Sequence, residues 1–289
     1  MLFNNLSGKI YVSIASLMDL ELEPTIKDLI SKSKQPESLF ISVYSQDDNH
    51  PDLETIFEEY GVSYKYNKVH HSLARGVGHA RHITQKYLTE EYRYLLQVDS
   101  HMRFVQNWDK KLIQDYEKYV GEYGDLILST YPPAYELDEN LNETYIDNDG
   151  IAPIVALVKD EELPFEAKYI DRSESVYGDE TGYFCAGFAF GYSKYFSQVP
   201  PDLKIYFWGE EHTTSIRFFK ENIKIVAPGR IYCYHDYDGN RRKRHWELAE
   251  ASITKELESK ILVRRILAGD VPSILHKDII KEFMRIYVT

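Results

Sequence analysis

Residues 92–109 read YRYLLQVDSHMRFVQNWD, and the fold turns on the middle of that stretch. Tyr94-Leu95-Leu96-Gln97-Val98 is an uncharged, mainly apolar run of the length and composition of a buried strand, and it stops abruptly in Asp99-Ser100-His101. Helical patterns flank it, GVGHARHITQKYLTEE upstream and NWDKKLIQDYEKY downstream. Buried strands bounded by helices predict a parallel sheet, and ligands on such sheets collect where strands end.

The same rhythm runs through the first hundred residues. KIYVSIA (9–15), SLFISVYS (38–45) and VSYKYNKV (62–69) read as strands. Between them, MDLELEPTIKDLISKS passes from a turn into a helix with Pro24 tolerated near its first turn, and LETIFEEYG sets Leu53, Ile56, Phe57 and Tyr60 at helical spacing before a capping Gly61. The expected class is α/β, a mixed, mostly parallel sheet flanked by helices on both faces. DLILSTYPP (125–133) adds a strand, and the acidic 136–150 segment reads as a loop. IAPIVALV, YFCAGFAFGYS (183–193) and KIVAPGRIYCYHDY (224–237) are strand-like and irregular. The tail is helical: Ile253, Leu257 and Ile261 recur at i,i+4, Gly269 stops the pattern, and a last amphipathic helix runs through Ile279, Phe283 and Ile286.

Composition narrows the function. A chain of 289 residues, 43% hydrophobic and 14% aromatic, can bury a large core. Its net charge of -12 argues against a generic nucleic-acid coat, which needs a basic face. Cys185 and Cys233 are too few for a disulfide framework and point to packing in a reducing compartment. The N-terminus lacks the pattern of a secretory signal, and no run approaches the roughly 20 apolar residues of a membrane span. The expectation is a soluble cytoplasmic protein without membrane contact.

The Asp-Ser-His stop carries the chemistry. In an extended segment Asp99 and His101 project to one side while Ser100 faces away. A carboxylate and an imidazole converging at a strand end suit a divalent ion of intermediate hardness, Mn²⁺ when phosphate oxygens complete its shell. Just upstream, Arg75 and Arg81 are placed to approach phosphate, with Gly76 and Gly78 opening the backbone at a helix start that favours anions.

Six segments in order, IYVSIASLMD, ARGVGHAR, YLLQVDSHMRFVQNWD, CAGFAFGYSKYF, YFWGEEHTTSIRFF and YHDYDGNRR, resemble the GlcNAc-type glycosyltransferases that include cytoplasmic hydroxyproline-directed enzymes. The chain is more distantly similar to the polypeptide GalNAc transferases. The resemblance spans residues 9–245 and implies a GT-A nucleotide-sugar fold in a single domain over 1–289. That domain divides into a nucleotide-binding half (1–135), a sugar and acceptor half (151–245) and C-terminal helices (246–289). It also implies a variant DxD motif in which Asp99 and His101 bind Mn²⁺ with His235 as third ligand.

By the same resemblance, Ser13 and Ala15 lie at the nucleotide-sugar, Trp208 covers the donor, and Glu210 and Glu211 face the sugar or the acceptor hydroxyl. One glycine precedes these glutamates where the distant relatives have two, which leaves both as candidates; an acid-rich helix start is the structural alternative. Ala186 and Gly187 are small where a sugar must approach the backbone, and Arg241 or Arg242 holds the diphosphate unless that turn is merely a solvated basic one. The implied reaction is retaining transfer from a UDP-sugar, GlcNAc by default, to a hydroxyl of a protein, a glycan or a modified nucleic-acid base. A metallophosphoesterase also begins its metal site with D-x-H but needs a downstream Gly-Asn-His, and YDGNRRK has no histidine. A sugar-nucleotide-binding module without turnover is the non-enzymatic alternative.

Overall fold

The strands expected from the first hundred residues make one half of an eight-stranded sheet. The computed structural model describes residues 8–146, 150–160, 164–170, 179–238, 242, 243, 247, 250–271 and 275–289. Strand β1 (Ile10–Leu17) lies between β2 (Leu39–Gln46) and β4 (Tyr94–Val98), with β3 (Ser63–Val69) at the edge beyond β2, and these three pairings are parallel. On the far side of β4 come β12 (Phe188–Tyr192), β6 (Leu126–Ser129), β13 (Lys224–Ala227) and the edge strand β11 (Asp179–Glu180). Antiparallel β12 joins β4 to β6, and β6 pairs in parallel with β13. The sheet is mixed and mostly parallel.

Side chains two apart on β1 show how both faces are covered. Ile10, Val12 and Ile14 enter a core with Ile26 of α1 (Leu22–Ser31), Phe57 of α2 (Leu53–Tyr60) and Trp108 of α4 (Trp108–Tyr123). The fully buried Trp108 ring ties α4 to α1 by donating its Nε1–H to the Leu29 carbonyl at 2.8 Å. Tyr11 and Ser13 point the other way, both bonded to Thr84 of α3 (Val77–Gln85). That second face also packs Leu95 and Ile127 against Phe196 of α5 (Ser193–Gln198) and Phe218 of α6 (Glu210–Lys220). Gly61, with φ of +65°, closes α2 as its sequence position predicts.

Two expectations change. The acidic 136–150 segment is not simply a loop: β7 (Tyr135–Leu137) and β8 (Glu143–Tyr145) pair antiparallel. The Asp138 carboxylate turns the chain between them by accepting the backbone N–H groups of Asn140 and Asn142. In the tail, α7 (Glu250–Ala268) and α8 (Lys277–Tyr287) form, but Ile253, Leu257 and Ile261 are 56%, 56% and 50% exposed. The buried side of α7 is Ser259, Val263, Ile266 and Leu267, which meet Phe283 of α8, Ile216 of α6 and Leu157 of β9 (Ile154–Val158) in or beside a third core. Apolar residues encircle α7, so spacing identified the helix and not the side that packs. None of the described helices is long and apolar enough to cross a membrane.

Candidate metal and nucleotide-sugar site

Asp99 sits one residue past β4, where its N–H extends the ladder with β12 by donating to the Gly187 carbonyl at 3.4 Å. The chain then bends and enters β5 (Met102–Phe104), which pairs antiparallel with β14 (Cys233–His235), Met102 opposite His235. That register brings together two histidines 134 positions apart, their Nε2 atoms 3.0 Å from each other. The Asp99 Oδ2 atom is 3.3 Å from His235 Nε2 and 3.9 Å from His101 Nε2.

The donor set fits a divalent cation. His101 gives its Nδ1–H to Asp19 Oδ2 at 2.7 Å, which leaves the Nε2 lone pair free in the neutral ring. Burial, with His101 beside it, pushes His235 down to about 4, so that imidazole is uncharged at neutral pH. Burial opposes a charge on Asp99, but the hydrogen bond from His235 and the nearby His101 and Arg81 outweigh it and hold the carboxyl well below its ordinary value. Gly187 supplies room: an added Cβ would stand 3.0 Å from Asp99 Oδ2. One carboxylate and two imidazoles within 4.8 Å of one another suit an ion of intermediate hardness.

Asp19 escaped the reading of single motifs. It follows β1 by two residues as Asp99 follows β4 by one, and neighbouring parallel strands deliver both to one end of the sheet. An acid in that position was the available signal. Ser100 also differs from expectation, because the bend aims its hydroxyl at Asp19 Oδ2, 2.6 Å away, and not outward.

Arg81 of α3 is buried with its guanidinium committed to two carboxylates, Nη1 to Glu210 and Nη2 to Asp99 Oδ1 at 3.3 Å. Burial disfavours its charge, yet those carboxylates outweigh burial and raise its pKa further. It therefore fixes the metal-facing carboxylate in place of standing open to phosphate. Glu210 is occupied by that pair. Glu211 points elsewhere, accepting the Ala186 N–H at 2.7 Å and the hydroxyls of Tyr131 and Tyr183, and burial raises its carboxyl to about 7.

These residues line a cavity of about 500 Å³, with Ala15, Ala186, Gly187, Trp208 and Arg242 in its wall. The Trp208 N–H donates to Glu256 at 3.2 Å, and its ring lies 5.4 Å from both the Lys260 ammonium and the Arg264 guanidinium. Gly209 precedes Glu210 with φ of +87°, and Val263 packs so closely that a Cβ there would come within 2.5 Å of it. Arg242 bridges Asp19 through the backbone and buries an Nη1 with no hydrogen-bond partner among the described residues.

Other expected residues are placed differently. The Ser13 hydroxyl is held under α3 by Thr84 at 2.6 Å, away from the cavity, because Ser13 sits mid-strand, two residues short of Ala15, the first β1 residue in the cavity wall. Arg75 is exposed and outside the lining, and Arg241 lies outside the described residues. Gly76 and Gly78 serve packing: a Cβ would meet the Tyr206 carbonyl at 2.4 Å and the Asp202 carbonyl at 2.1 Å. The first helical N–H, that of Val77, goes to the Tyr206 carbonyl at 2.6 Å and not to a ligand.

The model of the family Glycosyltransferase (GlcNAc) matches residues 9–60 and 49–270. The chain belongs to this family. No curated protein sequence matches this chain. Among solved structures, GalNAc-T7 with UDP, GalNAc and Mn²⁺ is 12% identical with a TM-score of 0.64, the match covering 96% of this chain and 54% of that one. The chain thus spans about half the length of GalNAc-T7. TarS 1–349 of S. aureus in complex with UDP-GlcNAc is 15% identical with a TM-score of 0.55, covering 96% of this chain and 71% of that one. The mannosyltransferase PcManGT from Pyrobaculum calidifontis, with GDP-Man and Mn²⁺, is 10% identical at 0.54, covering 97% and 69%. Likeness at these identities carries the fold, which is of the GT-A type.

Proposed function

We propose that this glycosyltransferase moves a sugar, GlcNAc by its family, from UDP to a hydroxyl of a protein, a glycan or a hydroxylated nucleic-acid base, with retention of anomeric configuration. The observation that carries the reading is the convergence of Asp99, His101 and His235 on the wall of the cavity. Mn²⁺ is the ion we assign to them, supported by the mixed nitrogen and oxygen donors and by its presence with GalNAc-T7 and PcManGT. When bound, it supplies neutralising charge to the departing diphosphate.

The remaining chemistry belongs to the chain's own side chains. Arg242 adds fixed positive charge to the same wall, where charge develops in the transition state. Ala186 and Gly187 let the sugar approach the backbone closely, and Trp208 covers the donor. Glu211, oriented by Tyr131 and Tyr183, hydrogen-bonds a hydroxyl of the sugar or acceptor. Glu210 is a poor covalent nucleophile because Arg81 occupies its carboxylate. Retention is therefore assigned to front-face substitution. The acceptor oxygen bonds to the anomeric carbon on the side from which the UDP oxygen departs, and the leaving phosphate takes the acceptor's proton.

A screen of UDP-sugars for slow hydrolysis without acceptor tests the class and the donor together. Mn²⁺-dependent hydrolysis of UDP-GlcNAc with an α-configured first product is expected, and Asp99→Ala and His235→Ala should abolish it. UDP binding indifferent to chelator and to both substitutions would overturn the three-ligand assignment.

A further inference from the structure

We propose a second divalent-cation site, formed by Asp48, His70 and His71 at the outer edge of the sheet. Among the described residues these are the only other side chains whose metal-binding atoms converge, all within 4.8 Å of one another. Asp48 lies in the loop after β2, and both histidines follow β3, so adjacent parallel strands deliver them to one end. His70 Nε2 is 2.9 Å and His71 Nε2 3.1 Å from the same oxygen, Asp48 Oδ1. Neighbouring ligands around a tetrahedral ion with bonds of about 2.1 Å stand about 3.4 Å apart, so a small outward movement admits one.

The frame beneath the three side chains is fixed. The Asp47 N–H donates to the Val69 carbonyl at 3.0 Å, tying the two loops together, and the Asp47 carboxylate accepts the N–H groups of Asp48 and Asn49. His71 begins a single 3₁₀ turn, His71–Leu73, with His70 as its N-cap. In that cap the Ser72 N–H donates to His70 Nδ1 at 3.2 Å, a tautomer that keeps the proton on Nε2. Ser72 Oγ lies 2.7 Å from the same Nδ1, so when a cation takes Nε2 the ring proton moves to Nδ1, which then donates to Ser72 Oγ and gives up the Ser72 N–H. Two imidazoles with one carboxylate select a borderline ion such as Zn²⁺, Co²⁺ or Ni²⁺ over Mg²⁺ or Ca²⁺. Solvent completes the shell, since Asp48 and His70 are exposed. Three residues beyond His71 the chain reaches Ala74 and then Gly76, which line the transferase cavity.

Equilibrium dialysis of the full chain against micromolar Zn²⁺ tests the site. Wild-type protein should retain one more equivalent than His70→Ala/His71→Ala, and Asp48→Asn should bind that equivalent at least tenfold more weakly. Equal loading of wild type and the double variant overturns the proposal. Because the readout is a difference, it is independent of whether Asp99, His101 and His235 load Zn²⁺. It also leaves the transfer reaction to be judged separately, by Mn²⁺-dependent hydrolysis in the same variants.

Discussion

Asp19, on the cavity wall, orients one of the candidate metal ligands. One of its oxygens accepts from Ser100 Oγ at 2.6 Å and from His101 Nδ1 at 2.7 Å. Burial works against the Asp19 charge, but those hydrogen bonds outweigh it and hold its carboxyl below the ordinary value. Asp19→Asn keeps the shape and removes the carboxylate oxygen that accepts the His101 Nδ1–H. It should weaken Mn²⁺ binding about 10- to 100-fold with an unchanged circular dichroism spectrum, as titration calorimetry would show. Gly187→Ala should also impair Mn²⁺ binding, because its Cβ would press on Asp99 Oδ2 at 3.0 Å. Glu211 offers a pH test. Burial lifts its carboxyl from 4.5 to about 7, so the neutral form stabilises the fold below its unfolded value near 4.5, and that contribution is lost as pH rises through 7. Glu211→Gln stays neutral throughout. Relative to wild type it should gain on the order of 2 kcal/mol between pH 5 and pH 8.5 in urea unfolding; parallel stability curves would show that Glu211 does not titrate there.

At the scale of elements, the register of one short ladder builds the candidate metal centre. β5 and β14 pair over three residues each, and that pairing places His235 beside His101. The start of α3 is set differently, by backbone contact between Gly78 and the Asp202 carbonyl. Gly78→Ala has no space at 2.1 Å and should cost at least about 1–3 kcal/mol through displaced backbone, measured as a lower urea midpoint at unchanged slope. These elements differ in how far the sequence discloses them. The strands and helices of the first hundred residues are periodic, and Asp99 with His101 is a local pair at a strand end, so both were legible. His235 entered through resemblance alone, because ladder register across 134 residues leaves no mark in spacing. Arg75 and Arg81 share the segment ARGVGHAR, yet Arg81 lies on α3 and is buried against Glu210, while Arg75 precedes the helix and is exposed. Ser13 and Ala15 share a face of β1, and only Ala15, nearer the carboxyl end of the strand, reaches the cavity, while Ser13 meets Thr84.

Across the whole molecule, the core built by the tail bears on the cavity wall through α7. Val263 of α7 packs against Gly209, the residue before Glu210 and Glu211, while Glu256 of the same helix accepts the Trp208 N–H. The tail therefore shapes the cavity wall at Trp208 and Gly209. Its inner and outer apolar residues should respond in opposite ways to substitution. Phe283 is fully buried among Phe165, Phe219 and Tyr287, so Phe283→Ala leaves a cavity and should cost about 3–5 kcal/mol. Leu257 is more than half exposed on α7, and Leu257→Lys should change stability by no more than about 0.5 kcal/mol. Urea unfolding of the two variants beside wild type separates them. A large loss from Leu257→Lys would mean that the outer stripe of α7 is covered in solution, and dilution over a hundredfold range would then shift the unfolding midpoint if a second copy supplies the cover.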